Sequence, residues 1–367
     1  MNLSVAEKHH EKTSTRPSFY RPELDLLRLL AFLLVFALHG PRLTESGANV
    51  AQWKASLAYV FNRLAASGLA GLPLFFFLSS YLITELLLRE KERTGVIHLK
   101  AFYFRRILRI WPLYFAGVAL GVLIGFLKPS FRLDHDEILY LATFTAWLGG
   151  AFHGNPFGVL WSVSVEEWFY LVWPSLAAQG KVFLTRAALI IIPIAPLTLK
   201  LFRHGWYNPV THFVFFATGG LIAVLLQNRS ITISPRMRLT AFAAGMFLFV
   251  MVRFVDWNAS FVYFVVDLGC VLVFLSFLGL ERPYLPAQLL YLGKISYGLY
   301  VFHAAAYVLA AKLLYPLHVR SELVSLVLLY GLTLAITVAV AAASYRYFET
   351  PFLSLKRRFE FVKSRPV

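Results

Sequence analysis

RPELDLLRLLAFLLVFALHG, residues Arg21 to Gly40, is the stretch whose reading decides the fold. From Leu24 to Leu38 only Asp25 and Arg28 interrupt the apolar run. Continued through Pro41, the segment is long enough to cross a bilayer as a helix at ~1.5 Å per residue. Arg28 and His39 lie eleven residues apart, close to three turns at ~3.6 residues each, so they share a helix face with a separation of roughly 16 Å along the axis. Ionisable groups inside a span cost at least ~2.5 kcal/mol each and mark functional or protein-facing positions by default. Two readings are open at this point: a functional pair, or an arginine that snorkels to one interface and a histidine that sits at the other.

Composition supports a membrane reading for the whole chain. Of 367 residues, 59% are hydrophobic, 16% aromatic and 15% charged, with a net charge of +16, which is far too apolar for a soluble domain. The apolar runs are continuous and near spanning length, unlike the alternating segments of an outer-membrane barrel. The basic excess is therefore read as membrane topology, and no nucleic-acid partner is expected. Cys270 is the single cysteine, so an intrachain disulfide, a Cys-rich zinc site and a c-type haem motif are all excluded. Met1 to Ser18 is polar and basic without the apolar core of a signal peptide, and reads as a disordered cytoplasmic tail.

Apolar windows give about ten transmembrane helices, at 24–42, 69–88, 111–127, 157–178, 187–201, 210–227, 239–255, 260–279, 287–314 and 322–345. With both termini cytoplasmic, the loops on that side carry roughly twice as many Lys and Arg as the opposite loops, as the positive-inside rule requires. The chain thus reads as an all-α integral membrane protein of the cytoplasmic (inner) membrane. Residues 1–22 form a tail, 23–351 one membrane domain and 352–367 a basic cytoplasmic tail. Glu137 to Gly150 is apolar but short, and reads as a re-entrant or interfacial piece.

Three segments carry candidate chemistry. In FRRILRIWP (104–112), Arg105 and Arg109 stand at i and i+4 and can grip one polyanion with Arg106 beside them. The alternative is a flank that touches anionic lipid. In WSVSVEEWFYLVWP (161–174), Ser162, Glu166, Tyr170 and Trp173 form one stripe, and Glu166 falls at a depth similar to that of His39. A carboxylate beside a histidine fixes its tautomer, as a general base requires; the alternative is a buried ion pair between helices. In LGKISYGLYVFH (292–303), Ser296, Tyr300 and His303 make a second polar face, where His303 either orients an acceptor hydroxyl or bonds a neighbouring helix. Asp25 is too far along its helix from His39 and pairs with Arg28 or caps the helix. Arg346 and Glu349 read as a helix-ending ion pair. Spacing supplies no third ligand to join His39 and His303, so no metal site is expected.

Five segments in this order, ELDLLRLLAFLLVFALH, LPLFFFLSSYLI, FRRILRIWP, LWSVSVEEWFYLVWP and LGKISYGLYVFH, with SYRYFETP as a weaker sixth, resemble the membrane-bound acyltransferase-3 family. They extend from Glu23 to Pro351. The resemblance implies a ten-helix membrane enzyme that moves an acyl group, commonly acetyl, from cytoplasmic acyl-coenzyme A to a hydroxyl, often of a sugar. It implies donor binding by Arg28, Arg105, Arg106 and Arg109, and catalysis by His39 with Glu166 or Glu167. Ser162, Tyr170, Tyr300 and His303 are candidate acceptor or oxyanion contacts. Leu26, Pro73, Ser80 and Trp168 depart from the family pattern, which often has Gly, Asp, Gly and Gln there; the Pro73 change places more weight on Glu166. The expected partners are the lipid bilayer, acyl-coenzyme A and a sugar, polysaccharide or glycosylated small molecule. The rival reading is a polytopic transporter or proton-coupled permease, which predicts inverted repeats that the sequence does not display.

Overall fold

The computed structural model describes residues 20–44, 52–149, 152, 154–201, 205–229, 231–280 and 284–362. Fourteen α-helices follow in chain order among them: α1 (Glu23–His39), α2 (Gln52–Ala66), α3 (Gly71–Thr94), α4 (Leu99–Leu127), α5 (His135–Ala142), α6 (Trp161–Ala178), α7 (Lys181–Ile194), α8 (Pro209–Leu226), α9 (Pro235–Met251), α10 (Ala259–Phe277), α11 (Ala287–Lys294), α12 (Ser296–Leu314), α13 (Glu322–Ser344) and α14 (Thr350–Lys356). No strand occurs among the described residues. The expected tail at Met1 to Ser18 lies outside them, as do Lys363 and Arg365.

Seven helical stretches among the described residues are long and apolar enough to cross a membrane. Three of the ten expected spans, around α1, α6 and α9, form helices of 17, 18 and 17 residues. These three fall short by length or by polarity: α1 carries Asp25 and Arg28, α6 carries Glu166 and Glu167, and α9 begins with Arg236 and Arg238. The chain is an all-α, multi-pass membrane protein.

Burial separates helices that build the interior from helices that face lipid. In the most apolar window of the α2–α3 stretch 72% of residues are buried, against 11% in that of the stretch beginning with α13. An exposed face rich in Leu, Val and Tyr is stable where the solvent is hydrocarbon. Helix α3 packs along α8 and touches α1, α6 and α10, while α1 is held between α3, α11 and α12. Leu24, Leu27, Ala31, Phe32 and Val35 of α1 are buried, which turns its apolar face into the core. Close approach depends on small residues. Gly219 of α8 lies against the Phe77 carbonyl of α3, and Gly293 of α11 against the Asp25 carbonyl of α1; a β-carbon at either would overlap backbone atoms. Gly219→Leu is accordingly expected to separate α3 from α8 at a cost of at least ~1–3 kcal/mol. Thermal aggregation of the detergent-solubilised protein would report it, and an unchanged midpoint would contradict the packing.

Four boundaries differ from the sequence reading. Helix α2 was not expected: Lys54, Asn62 and Arg63 interrupt its apolar run, and its apolar stripe of Trp53, Leu57, Val60 and Leu64 is exposed rather than buried. The expected span at 287–314 is two helices broken at Ile295. The Glu137–Gly150 piece is α5 followed by a turn at Ala146–Leu148, and Gly150 lies outside the described residues. It is tied to the bundle by Tyr114, which donates to the Leu141 carbonyl at 2.7 Å, and by Trp168 Nε1, which donates to the Phe144 carbonyl at 3.1 Å. Finally, Tyr345–Glu349 is one π-helical turn that carries α13 into α14. The wider turn rotates Arg346 away from Glu349: Glu349 instead accepts from Ser344 Oγ at 3.2 Å, and Arg346 lies over the Tyr347 ring. The expected Arg346–Glu349 ion pair is absent among the described residues.

Candidate active site

The C-terminal end of α1 is fixed atom by atom. A helix leaves its last carbonyls without intrahelical donors, and here side chains from elsewhere supply them. Tyr307 of α12 donates to the Phe36 carbonyl at 3.0 Å, Tyr330 of α13 to the Ala37 carbonyl at 3.3 Å, and Arg42 to Ala37 at 3.1 Å and Leu38 at 2.5 Å. Arg42 also complements the negative end of the helix dipole. Gly40 permits this, because its α-carbon abuts the Tyr330 ring and a side chain would collide with it. His39, the last residue of α1, is thereby held in place with an exposed edge.

Its neighbour is a second histidine. His39 Nδ1 lies 3.1 Å from His303 Nε2 of α12 and 3.1 Å from its own Val35 carbonyl. The two rings are 5.0 Å apart between centroids. His303 is fully buried, with Nδ1 at 2.6 Å from the Tyr300 carbonyl. Tyr300 Oη lies 2.7 Å from Ser162 Oγ of α6, and both hydroxyls reach the Val159 carbonyl, at 3.0 and 3.2 Å. Glu166 is therefore not the partner that faces His39. It sits one turn further along α6 than Ser162, about 6 Å by the helix rise. There it accepts from Tyr170 Oη at 3.1 Å, and Tyr170 Oη in turn meets Ser79 Oγ of α3 at 2.9 Å.

A cavity of about 150 Å³ is lined by Ser79, Ser162, Glu166, Tyr170 and Tyr300 among others, and not by His39 or His303; it has room for roughly five waters at liquid density. Its lining includes Ser162, Tyr300 and Glu166 together with Arg21, Asp25, Arg28, Arg106, Arg109 and Lys356. Arg28 pairs with Asp25 at 2.9 Å, as its i, i+3 spacing predicts. Arg106 stands over the faces of Phe102 and Tyr170, with its guanidinium carbon 5.6 and 5.7 Å from their centroids. Arg106 and Arg109 are also the cations nearest in effect to Glu166.

Two expected site residues lie elsewhere. Arg105 does not line this cavity: it pairs with Glu90 at 2.8 Å and donates to the Phe359 carbonyl at 2.6 Å. The pair that lines the cavity is thus Arg106 with Arg109, at i and i+3, and not Arg105 with Arg109. Glu167 points to α4 and accepts from Trp111 Nε1 at 3.2 Å. It is not among the cavity-lining residues. Two residues that the sequence reading passed over do line the cavity. Ser79 sits in an unbroken apolar helix. Lys356 belongs to the stretch read as a free basic tail, yet α14 packs on α4 and buries it. Packing against the bundle thus continues past 351, with Lys356 and Val362 buried.

Among the described residues no group of three or more His, Cys, Asp and Glu side chains is arranged to hold a metal ion. The cavity thus gathers several cations with the Ser162 and Tyr300 hydroxyls, and the Tyr300 carbonyl in turn holds His303 against His39. Cations so grouped can hold a polyanion, and an imidazole can remove a proton.

The chain is similar to known acyltransferases over most of its length. The Acyl_transf_3 model, described as an acyltransferase domain, matches residues 21–346. The peptidoglycan O-acetyltransferase OatA of Listeria monocytogenes is 26% identical over 382 residues, covering 93% of this chain and 57% of the relative. The O-acetyltransferase OatA of Staphylococcus aureus strain NCTC 8325 is 26% identical over 377 residues, 90% of this chain and 57% of the relative. A Staphylococcus aureus MSSA476 protein provisionally described as an O-acetyltransferase is 24% identical over 374 residues, with 91% and 57% coverage. The chain spans little more than half the length of these relatives. No solved structure matches. The match over nearly the whole membrane domain establishes that the chain belongs to the acyltransferase-3 family.

Proposed function

We propose that the chain is a membrane O-acyltransferase that moves an acyl group, acetyl first among them, from acyl-coenzyme A to a hydroxyl of a carbohydrate. The observation that carries this reading is the cavity itself, which brings arginines and Lys356 together with Ser162 and Tyr300, the carbonyl of Tyr300 holding His303 against His39. Arg28, Arg106, Arg109 and Lys356 would hold the donor phosphates at the cytoplasmic end of an inner-membrane protein, where bidentate guanidinium contacts suit phosphate oxygens. The pantetheine arm would lie along the cavity, past Tyr170 and Glu166, and bring the thioester toward His39.

In the reaction His39 takes the proton of the acceptor hydroxyl as the oxygen attacks the thioester carbonyl carbon. The C–S bond then breaks, the ester forms, and the departing thiolate takes the proton back from His39. General-base assistance of this kind is worth ~10²–10⁴-fold. Ser162 and Tyr300, which line the cavity, are the candidates to donate to the oxyanion. Their protons are shared between the Val159 carbonyl and each other, and donation to an oxyanion would replace one of these bonds. Glu166 is placed to balance the arginine charge beside Tyr170 rather than to assist His39 directly.

The similarity to OatA proteins makes a cell-wall glycan the first acceptor to test. Protein in nanodiscs, given [14C]acetyl-coenzyme A and a peptidoglycan tetrasaccharide, is expected to yield labelled, base-labile ester on the glycan. Neither labelled glycan nor release of free coenzyme A in the presence of peptidoglycan, lipid-linked or polysaccharide fractions would overturn the reading.

A further inference from the structure

His303 carries more information than its burial alone suggests, because its two ring nitrogens face groups of different hydrogen-bonding character. Nδ1 is 2.6 Å from the Tyr300 carbonyl. A carbonyl only accepts, so His303 Nδ1 bears a hydrogen. The partners of His303 are this carbonyl and an imidazole, neither of which is negative, and Phe32 meets it edge-on with centroids 6.2 Å apart. A buried imidazolium would have no counter-charge among these neighbours, which is costly. The ring is accordingly neutral, and its Nε2 is an acceptor.

The nitrogen that faces this acceptor at 3.1 Å is His39 Nδ1. That nitrogen must be the donor, and the Val35 carbonyl, also 3.1 Å away, is a second acceptor around the same hydrogen. Both neighbours select one tautomer. His39 then keeps its lone pair on Nε2, away from the dyad. The arrangement differs from a Ser-His-Asp triad in that an imidazole, itself oriented by a backbone carbonyl, takes the place of the carboxylate. The charged and titratable groups at this end of α1 are Arg42 from the following loop, His303 and Tyr307 from α12 and Tyr330 from α13; no carboxylate is among His39's hydrogen-bond partners.

We propose that His303 is a positioning residue which, with the Tyr300 carbonyl behind it, locks His39 as its Nδ1–H tautomer and leaves His39 Nε2 as the base that meets the acceptor hydroxyl. The proposal rests on the acyltransferase reading for its kinetic consequence but not for its tautomer. A neutral dyad partner also has a chemical use: when His39 Nε2 gains a proton, the resulting imidazolium still donates to His303 and remains aligned.

The tautomer is read directly from 15N NMR of the full chain, with 15N-labelled histidine, in nanodiscs, and His39 signals are assigned by difference from His39→Ala. A protonated Nδ1 and an unprotonated Nε2 are expected for His39 in the wild type. His303→Gln, whose amide oxygen can accept from His39, is expected to preserve that pattern; His303→Phe, which fills the volume without an acceptor, is expected to give a mixture. A wild-type His39 protonated at Nε2, or a His303→Phe spectrum identical to wild type, overturns the proposal. Kinetics supply the second arm, with [14C]acetyl-coenzyme A and the peptidoglycan tetrasaccharide. His303→Phe should lower kcat by about 100-fold with KM for acetyl-coenzyme A within about threefold, and His303→Gln should recover to within about tenfold of wild type. Equal loss in both variants, or none in His303→Phe, speaks against positioning. An inactive wild type with the expected spectrum would instead sink the acyltransferase reading and leave the tautomer standing.

Discussion

His39→Ala is expected to lose ~10²–10⁴-fold in acyl-transfer turnover while its Kd for acetyl-coenzyme A stays within about threefold of wild type. The separation follows from position. His39 is the terminal residue of α1, and it is not part of the cavity lining that holds the cations. Its removal deletes the imidazole without disturbing the arginines about 16 Å of helix rise away at Arg28. The neighbouring carbonyls remain satisfied by Tyr307, Tyr330 and Arg42, so the helix end should keep its shape. Turnover is measured with labelled acetyl-coenzyme A and binding by calorimetry on the same nanodisc preparation. Retained turnover would remove His39 from the chemistry; lost binding would mean that it serves the donor site.

Arg106→Gln is expected to do the reverse and raise the Kd for acetyl-coenzyme A. A charge-assisted hydrogen bond contributes ~1.5–3 kcal/mol, which converts to roughly 10–100-fold in affinity. The double variant with Arg109→Gln should lose more. Arg105→Gln makes the sharper comparison, because sequence spacing alone assigns Arg105 and Arg109 to the same polyanion. Arg105 instead bonds Glu90 and the Phe359 carbonyl, with side-chain exposures of 11% for Arg105 and 3% for Glu90. Breaking a buried pair from one side costs on the order of 3–5 kcal/mol. Arg105→Gln is therefore expected to lower the melting temperature and leave donor affinity in the folded fraction nearly unchanged. Weaker donor binding in Arg105→Gln than in Arg106→Gln would restore the spacing-based assignment.

The contrast between these two arginines shows what a sequence can and cannot specify here. Adjacent residues on a helix point about 100° apart, so the RRxxR pattern places three cations near one membrane boundary without saying which face meets the cavity. Arg105 is instead taken by Glu90 of α3 and by the Phe359 carbonyl in the turn that follows α14, which returns along α4. The membrane helices were legible because apolar length is a direct consequence of bilayer thickness. Arg28 with Asp25 was legible because the pair is local, at i and i+3. The partner of His39 was not. Depth arguments place Glu166 and His39 at similar levels to within a turn or so, and a single turn separates Glu166 from Ser162, whose neighbour Tyr300 leads to His303. His303 itself was visible as a polar residue in an apolar helix, but the break at Ile295 sets the rotation of α12, and nothing in the spacing of LGKISYGLYVFH announces that break. Lys356 escaped for the opposite reason: a basic run after the last apolar segment reads as a solvated tail unless the π-helical turn at Tyr345–Glu349 that redirects it is known.

The central claim is that one cavity holds the donor from Arg106 and Arg109 to the neighbourhood of His39. Photolabelling with an acyl-coenzyme A analogue that carries a diazirine at the end of its acyl group, followed by peptide mass spectrometry, tests it most directly. Labels are predicted on the segments that contain Ser162 and Tyr300, and they should disappear in the Arg106→Gln, Arg109→Gln double variant. Labels confined to lipid-facing segments such as α13, or to the arginine end of α4, would contradict the account.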